Sequence, residues 1–241
     1  MRTSRVFESQ PLLVGAIVAL NERNHQHLIK ALRLEAGAPI ILFNGDGNDY
    51  AATLTVAGKK NAEASVEACL PVANESPVNV HIGLGMSLGD RMEYAIQKAT
   101  EAGVAELTPL ETERSELRLK GERAEKKWQR WQQVAISAAE QCGRARVPMI
   151  HPPCALNAWL DDQNAELRLV LHHEHAQRLP AQSPVTSVCA LIGPEGGLSD
   201  ADITAALAQN FVPLALGPRV LRTETAPVVL LAALNTLWGD F

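Results

Sequence analysis

The 241-residue chain holds no apolar run near the roughly 18 residues that a membrane-spanning helix needs, so no span is expected. It has no CxxC pair. Cys69, Cys142, Cys154 and Cys189 are scattered, which argues against a disulfide scaffold and fits free thiols in the cytoplasm. No Gly-x4-Gly-Lys-Ser/Thr loop is present, so nucleotide hydrolysis has no phosphate cradle. Repeats and low-complexity stretches are missing too. The opening residues are polar, carry Glu8 and lack a small-residue cleavage signature, so export is not expected.

What is present describes an ordered chain: 46% apolar and 20% charged residues. The formal charge of -5 argues against a nucleic-acid binder when taken as an average, but averages hide local surfaces. Between Arg114 and Arg130 seven basic residues stand against three acidic ones, and Arg144 and Arg146 follow. Two readings stay open for this stretch: a phosphate-facing patch, or a solvated helix face laced with ion pairs.

Residues 1–72 read as a β-rich module, with strands over 15–20, 39–43, 50–57 and 62–69. Asn44-Gly45-Asp46-Gly47-Asn48 is a turn between two of them. A short helix is expected over 25–34, with Leu28, Leu32 and Ile29 turned inward and Gly37 beyond its end. Closure into a small barrel would remove exposed edges. His27 reads either as a partly buried, satisfied histidine or as an RNA contact. Pro71 to Pro77 marks a boundary, after which strands and helices alternate. Strands are expected over 78–86, 104–110, 147–151 and 167–171. Helices are expected over 91–102, with Met92, Ala95, Ile96 and Ala99 inward, and over 123–141, 156–161, 198–209 and 226–238. Ser199 and Asp202 form a capping-box pair, and Pro227 suits a helix start.

Several signals are discounted. Gly83-x-Gly85-x-x-x-Gly89 misses the dinucleotide spacing by one position. His172-His173-Glu174-His175 has no second cluster to close a tetrahedral zinc site, and no metal is expected. Cys142 has no histidine nearby to make it a nucleophile. Trp128 and Trp131, three apart, fit a core better than a base-stacking platform.

The chain is organised around two loops, Ile192-Gly193-Pro194-Glu195-Gly196-Gly197 and Leu216-Gly217-Pro218-Arg219-Val220-Leu221-Arg222-Thr223-Glu224-Thr225-Ala226. Each follows a β-favouring run (187–192 and 211–216) and precedes a helical one. A strand, a glycine-rich turn and a helix make a ligand crevice at the carboxyl ends of strands in an α/β domain. Glycine permits close backbone approach and positive φ. Tight structural turns are the alternative reading.

Taken with HLIKALR (27–33), FNGDG (43–47), RMEYAIQKATEAG (91–103), Glu113-Arg114-Ser115 and Glu140-Gln141-Cys142-Gly143-Arg144, these loops resemble the bacterial 16S ribosomal RNA uridine N3-methyltransferase family of the SPOUT superfamily. The resemblance covers nearly the full chain. It implies an α/β fold: a PUA-like, RNA-binding β-barrel over 1–72, and a SPOUT methyltransferase domain over 73–241 whose C-terminal segment forms a deep trefoil knot, against the usual absence of knots. It further implies a cytoplasmic homodimer that methylates N3 of one uridine in the decoding region of 16S ribosomal RNA, on the assembled small subunit. Two positions depart from the family pattern. Leu88 stands where a basic residue is common, and Ala102 where leucine is usual.

On that resemblance, S-adenosylmethionine would be held by Leu171, His172, Ile192, Gly193, Gly196, Gly197, Leu216, Gly217 and Leu221. Arg222, Glu224 and Arg114 are the catalytic candidates. Arg222 would hold phosphate or a developing uracil oxyanion; Glu224 would orient Arg222, accept a proton or cap the last helix. Candidate RNA contacts are His27, Arg33, Arg91, Arg114, Lys120, Arg144 and Arg219. The last helix, through Val228, Val229, Leu231, Ala232 and Leu234, offers surface compatible with a dimer. A knotted methyltransferase acting on ribose or transfer RNA, and a nonenzymatic ribosome-assembly module, are the alternatives.

Overall fold

Alternating burial builds the first sheet. In a computed structural model describing residues 3–172, 179 and 184–241, Tyr50, Ala52 and Leu54 point inward along β4 (Asn48–Ala57), as do Ala62, Ala64 and Val66 along β5 (Ala62–Pro71). This period of two is what a sheet with one covered face requires. The turn after β3 (Pro39–Phe43) places Gly45 and Gly47 at φ 93° and 97°, which explains glycine at both positions. With β1 (Ser4–Phe7) and β2 (Ile17–Ala19), the strand order is β1-β3-β4-β5-β2. β1 and β2 therefore end the ladder, and the barrel closure expected from the sequence is not made by pairing them.

The expected helix over 25–34 is two pieces. α1 (Glu22–His25) is capped by the Asn21 side chain and runs into a π-helical turn, Gln26–Ala31, closed by Leu32 N–H on His27 O at 2.9 Å. The wider turn rotates the face. Leu28 is fully buried, but Leu32 is 45% exposed rather than inward. It also reverses the histidines: His27 is exposed, so its partly buried reading fails, and His25 is the buried ring, Nε2 lying 2.9 Å from Gly58 O.

The chain divides into two units: 1–75 with 139–147, and 76–138 with 148–241. In the first unit, Arg5 ties the returning segment down. Its guanidinium bonds Asp49 at 2.6 Å and the carbonyls of Ala139 and Arg144 at 2.9 and 2.8 Å, and it lies over the Phe43 ring. Glu140 accepts from Phe7 N–H and pairs with Arg23.

The second unit is α/β. Its strands are β6 (Asn79–Gly85), β7 (Glu106–Glu111), β8 (Met149–Ile150), β9 (Cys154–Ala155), β10 (Leu167–Leu171), β11 (Ser187–Ile192) and β12 (Val212–Leu214), ordered β12-β10-β11-β6-β7-β8 with β9 beside β7. All of these pairings are parallel. Near-continuous apolar burial in β6 and β11 is the signature of strands covered on both faces. α2 (Arg91–Glu101) buries Met92, Ala95, Ile96 and Ala99, the stripe its spacing predicts. α3 (Gly121–Cys142) buries Trp131, Ala135 and Ala138, and α4 (Leu156–Asp161) inserts Trp159. α5 (Asp200–Ala208) starts on the reciprocal Ser199–Asp202 box. α6 (Ala226–Trp238) carries Pro227 in its first turn. Leu231 and Leu234 on α6 are fully buried within the chain, so they are not the dimer-compatible surface expected of them.

Candidate active site

Strand order reverses at β10. The chain passes from β10 to β11 on one side and returns to β12 on the other. Loops leaving neighbouring strands at such a reversal diverge and leave a crevice. A cavity of about 700 Å³ opens there, within the roughly 300–1,000 Å³ of small-molecule sites. Its walls are Leu171 at the end of β10 with His172 beyond it, residues 192–198 from the end of β11 onward, and residues 214–217 and 219–224 from the end of β12 onward, with Arg91 and Arg114.

The first loop is packed into the fold. A Cβ on Gly85 would stand 2.5 Å from Pro194 N, and one on Gly193 2.9 Å from Leu198 N, so strand and loop approach at a distance that only glycine permits. Gly197, at φ 70°, donates its N–H to Pro194 O at 2.9 Å. Glu195 Oε1 accepts from Leu88 N–H at 3.0 Å and from Arg91 Nη1 at 2.8 Å. Burial pushes the Glu195 pKa up. Hydrogen bonds from its own backbone, the Ser87 hydroxyl and Leu88 N–H, together with the Arg91 charge, outweigh that and hold it below its usual value. Arg114 Nη1 donates to Gly196 O at 3.2 Å.

The second loop is held at its end. Residues 217–220 are exposed, Val220 at 82%, and Gly217 takes φ 95°. Thr223 Oγ1 then donates to Gly193 O at 2.7 Å, which ties the two loops together. The Arg222 side chain is 79% exposed and that of Glu224 only 15%, with their nearest charged atoms 3.9 Å apart. Glu224 Oε2 is buried with no hydrogen-bond partner among the described residues. A buried carboxylate oxygen left unpaired is costly, and such costs collect where a ligand supplies the missing partner.

All nine residues expected to hold the cofactor line this one cavity, as do Arg91, Arg114, Arg219, Arg222 and Glu224. Lys120 is exposed and does not line it; His27 and Arg33 are exposed on the first unit. Arg144 departs from its expected role. It is 5% exposed and bonds Glu75 at 2.6 Å, because its guanidinium anchors the chain end of the first unit instead of facing a phosphate. The basic stretch is mixed: Lys126 pairs with Glu122, Lys127 and Arg130 pair with Glu93, and Arg118, Lys120 and Arg123 stand exposed. The sequence reading missed Gly85, Leu198 and Thr223. Gly83-x-Gly85 was the available signal, read as a failed nucleotide fingerprint when it marks close packing. His173, Glu174 and His175, weighed as zinc ligands, lie outside the described residues. Burial raises the pKa of Cys154 and Cys189, away from nucleophilic thiolate.

Residues 74–235 match the family described as RNA methyltransferase domain, and residues 20–67 the one described as RNA methyltransferase PUA domain. The ribosomal RNA small subunit methyltransferase E of Bacillus subtilis is 32% identical over 219 residues, which is 87% of this chain and 86% of the relative. The chain belongs to this methyltransferase E family. Two solved structures resemble this member along its whole length. The methyltransferase E of Neisseria gonorrhoeae, bound to S-adenosyl methionine, is 36% identical with a TM-score of 0.93, covering 100% of both chains. A Legionella pneumophila protein, solved with bound SAM, is 37% identical with a TM-score of 0.95, again over 100% of both. Likeness at this level extends across both units of this chain.

Proposed function

We infer that this chain uses S-adenosylmethionine to methylate N3 of one uridine in the decoding region of 16S ribosomal RNA, on the assembled small subunit. It acts as a cytoplasmic homodimer whose C-terminal segment forms the trefoil knot. One observation carries this reading: both glycine-bearing loops line the same cavity at the carboxyl ends of β10, β11 and β12. The residues fit such a ligand. Cβ positions at Gly197 and Gly217 meet nothing within 4 Å, which leaves room along the wall, and Glu224 supplies a buried polar atom awaiting a partner. Leu171, His172, Ile192, Gly193, Gly196, Gly197, Leu216, Gly217 and Leu221 would hold it, through apolar contact and backbone groups.

When bound, S-adenosylmethionine supplies a sulfonium methyl group open to direct displacement. The chain's own task is to position the base and manage its proton. Uracil N3 carries hydrogen and lies on the pairing edge, so the base must arrive unpaired or extruded. With the cofactor bound, the methyl group would pass to N3 as its bond to sulfur breaks, and the cavity-lining Glu224 carboxylate would take the N3 proton. Thr225, not Glu224, stands at the cap position of α6, and Oε2 bonds nothing among the described residues, which supports this role over capping. The largely exposed Arg222 stabilises charge developing on a uracil oxygen. Arg114, which lines the cavity, reaches the target nucleotide and Arg219 holds backbone phosphate, with His27, Arg33, Arg91 and Lys120 as further RNA contacts.

The test incubates the protein with labelled S-adenosylmethionine and small subunits from cells lacking the gene, then maps the modified nucleoside. N3-methyluridine at one decoding-region position is expected. Label on ribose, on transfer RNA or on no RNA overturns the assignment.

A further inference from the structure

At the amino-terminal ends of the same sheet lies a second group of side chains that this chemistry does not use. His81 is on β6, Glu106 opens β7, and His151 follows β8. Register pairs His81 with Glu106 and Glu106 with Met149, and His151 lies two residues beyond Met149. Neighbours in parallel register share a face, and residues two apart on an extended segment do too, so all three side chains emerge on one side of the sheet. Their donor atoms lie within 4.8 Å of one another. His151 Nε2 is 2.7 Å from Glu106 Oε2, and the two imidazole rings lie 5.2 Å apart.

We propose that His81, Glu106 and His151 bind one divalent transition-metal ion of the zinc class, cross-linking three strands at the end of the sheet away from the cavity. Two imidazoles and one carboxylate match the preference of such ions for mixed nitrogen and oxygen donors. The intermediate exposure of all three residues leaves the fourth position to water. The 2.7 Å His151–Glu106 separation is that of a shared proton. A cation bound at roughly 2.0–2.2 Å from each donor takes that proton's place after a small outward rotation of both side chains. The surroundings hold the ligands as metal sites require. Thr108 Oγ1 lies 2.8 Å from His81 Nε2 and can accept the Nε2 proton when Nδ1 takes the metal, while Trp159, 3.3 Å from the same nitrogen with its indole edge-on, then packs against the ring without donating to it. Two ligands lie in strands and the third just past a strand, its N–H on Leu107 O at 2.9 Å, so the backbone fixes their spacing before any ion arrives.

The proposal is tested on the untagged full chain, stripped with chelator. Equilibrium dialysis against Zn²⁺ and titration with Co²⁺, followed by its visible absorption, count the sites and report their geometry. One equivalent is expected, with tetrahedral Co²⁺ bands and a raised melting temperature. His151→Ala and Glu106→Gln should each weaken binding at least tenfold while circular dichroism stays native. The double variant His173→Ala/His175→Ala, which removes the other histidine cluster of the sequence, should keep the site. Absence of binding overturns the proposal, as does binding that survives both His151→Ala and Glu106→Gln or is lost only in the double variant.

Discussion

The two loops of the cavity look alike in sequence, each with a Gly-Pro step after a strand, yet they are built in opposite ways. In residues 192–197 Pro194 is buried, Gly193 leaves no space for a side chain, and Glu195 fastens the turn to Leu88 and Arg91. In residues 216–222 the chain stands outward, with Val220 and Arg222 largely in solvent, until Thr223 fastens it. The first loop is wall and the second is arm. Changes to the wall should cost folding and cofactor affinity together, whereas changes to the arm should cost turnover and leave the fold alone.

The harshest challenge to that contrast is Gly85→Ala, which adds a methyl group 2.5 Å from Pro194 N. Overpacking of this kind costs about 1–3 kcal/mol, and calorimetry should show the loss alongside S-adenosylmethionine affinity reduced more than tenfold. Unchanged melting and affinity would show that the wall yields. Arg222→Ala comes next: turnover should fall on the order of 100-fold, the range for removing a charge-stabilising donor, while cofactor affinity in a titration stays within twofold. A variant that keeps near-normal turnover takes Arg222 off the catalytic list.

Glu195→Gln sharpens the comparison from the wall side. The pair with Arg91 is partly exposed, so about 0–1 kcal/mol is at stake, read as a few-fold weaker cofactor binding. The folded pKa of Glu195 lies below 4.5, so its contribution is present above that value and is lost as pH falls through the lower folded one. The melting-temperature difference between wild type and Glu195→Gln should therefore hold constant from about pH 8 to 5 and shrink only in more acid solution. A difference that vanishes near neutrality would remove the carboxylate from the anchor. Smallest of all is Val220→Ser, expected to change stability by no more than about 0.5 kcal/mol in a denaturant melt of dilute protein. A larger drop would mean that the arm packs in solution.

Local signals carried well from sequence to structure. The Ser199–Asp202 box, the inward stripe of α2 and the strands before both loops were all legible, because each depends on residues a few positions apart. The loops announced the cavity for the same reason: glycine is demanded by a backbone geometry that no other residue reaches cheaply. What depended on distant partners did not show. β1 is four residues long with no turn beside it, and its parallel partner lies 36 positions on. Nothing in the composition around 139–147 shows that Arg5 and Glu75 will claim that segment, so Arg144 read as an RNA contact. The rotation of Leu32 outward follows from one extra residue in a helical turn, which periodicity at 3.6 cannot register. His81, Glu106 and His151 are 25 and 45 residues apart, and only strand register gathers them. By spacing along the chain the contiguous histidines of 172–175 stand out instead.

The Thr223 hydroxyl on Gly193 O has a consequence for the order of events in a catalytic cycle. A small ligand that ordered the wall at Gly193 would act on the arm through this bond, so the ordering entropy of both would be spent once. A second ligand held by the arm's arginines would then be coupled to the first, and by thermodynamic reciprocity the coupling would be equal in both directions. The Thr223 hydroxyl is the contact through which such coupling would run.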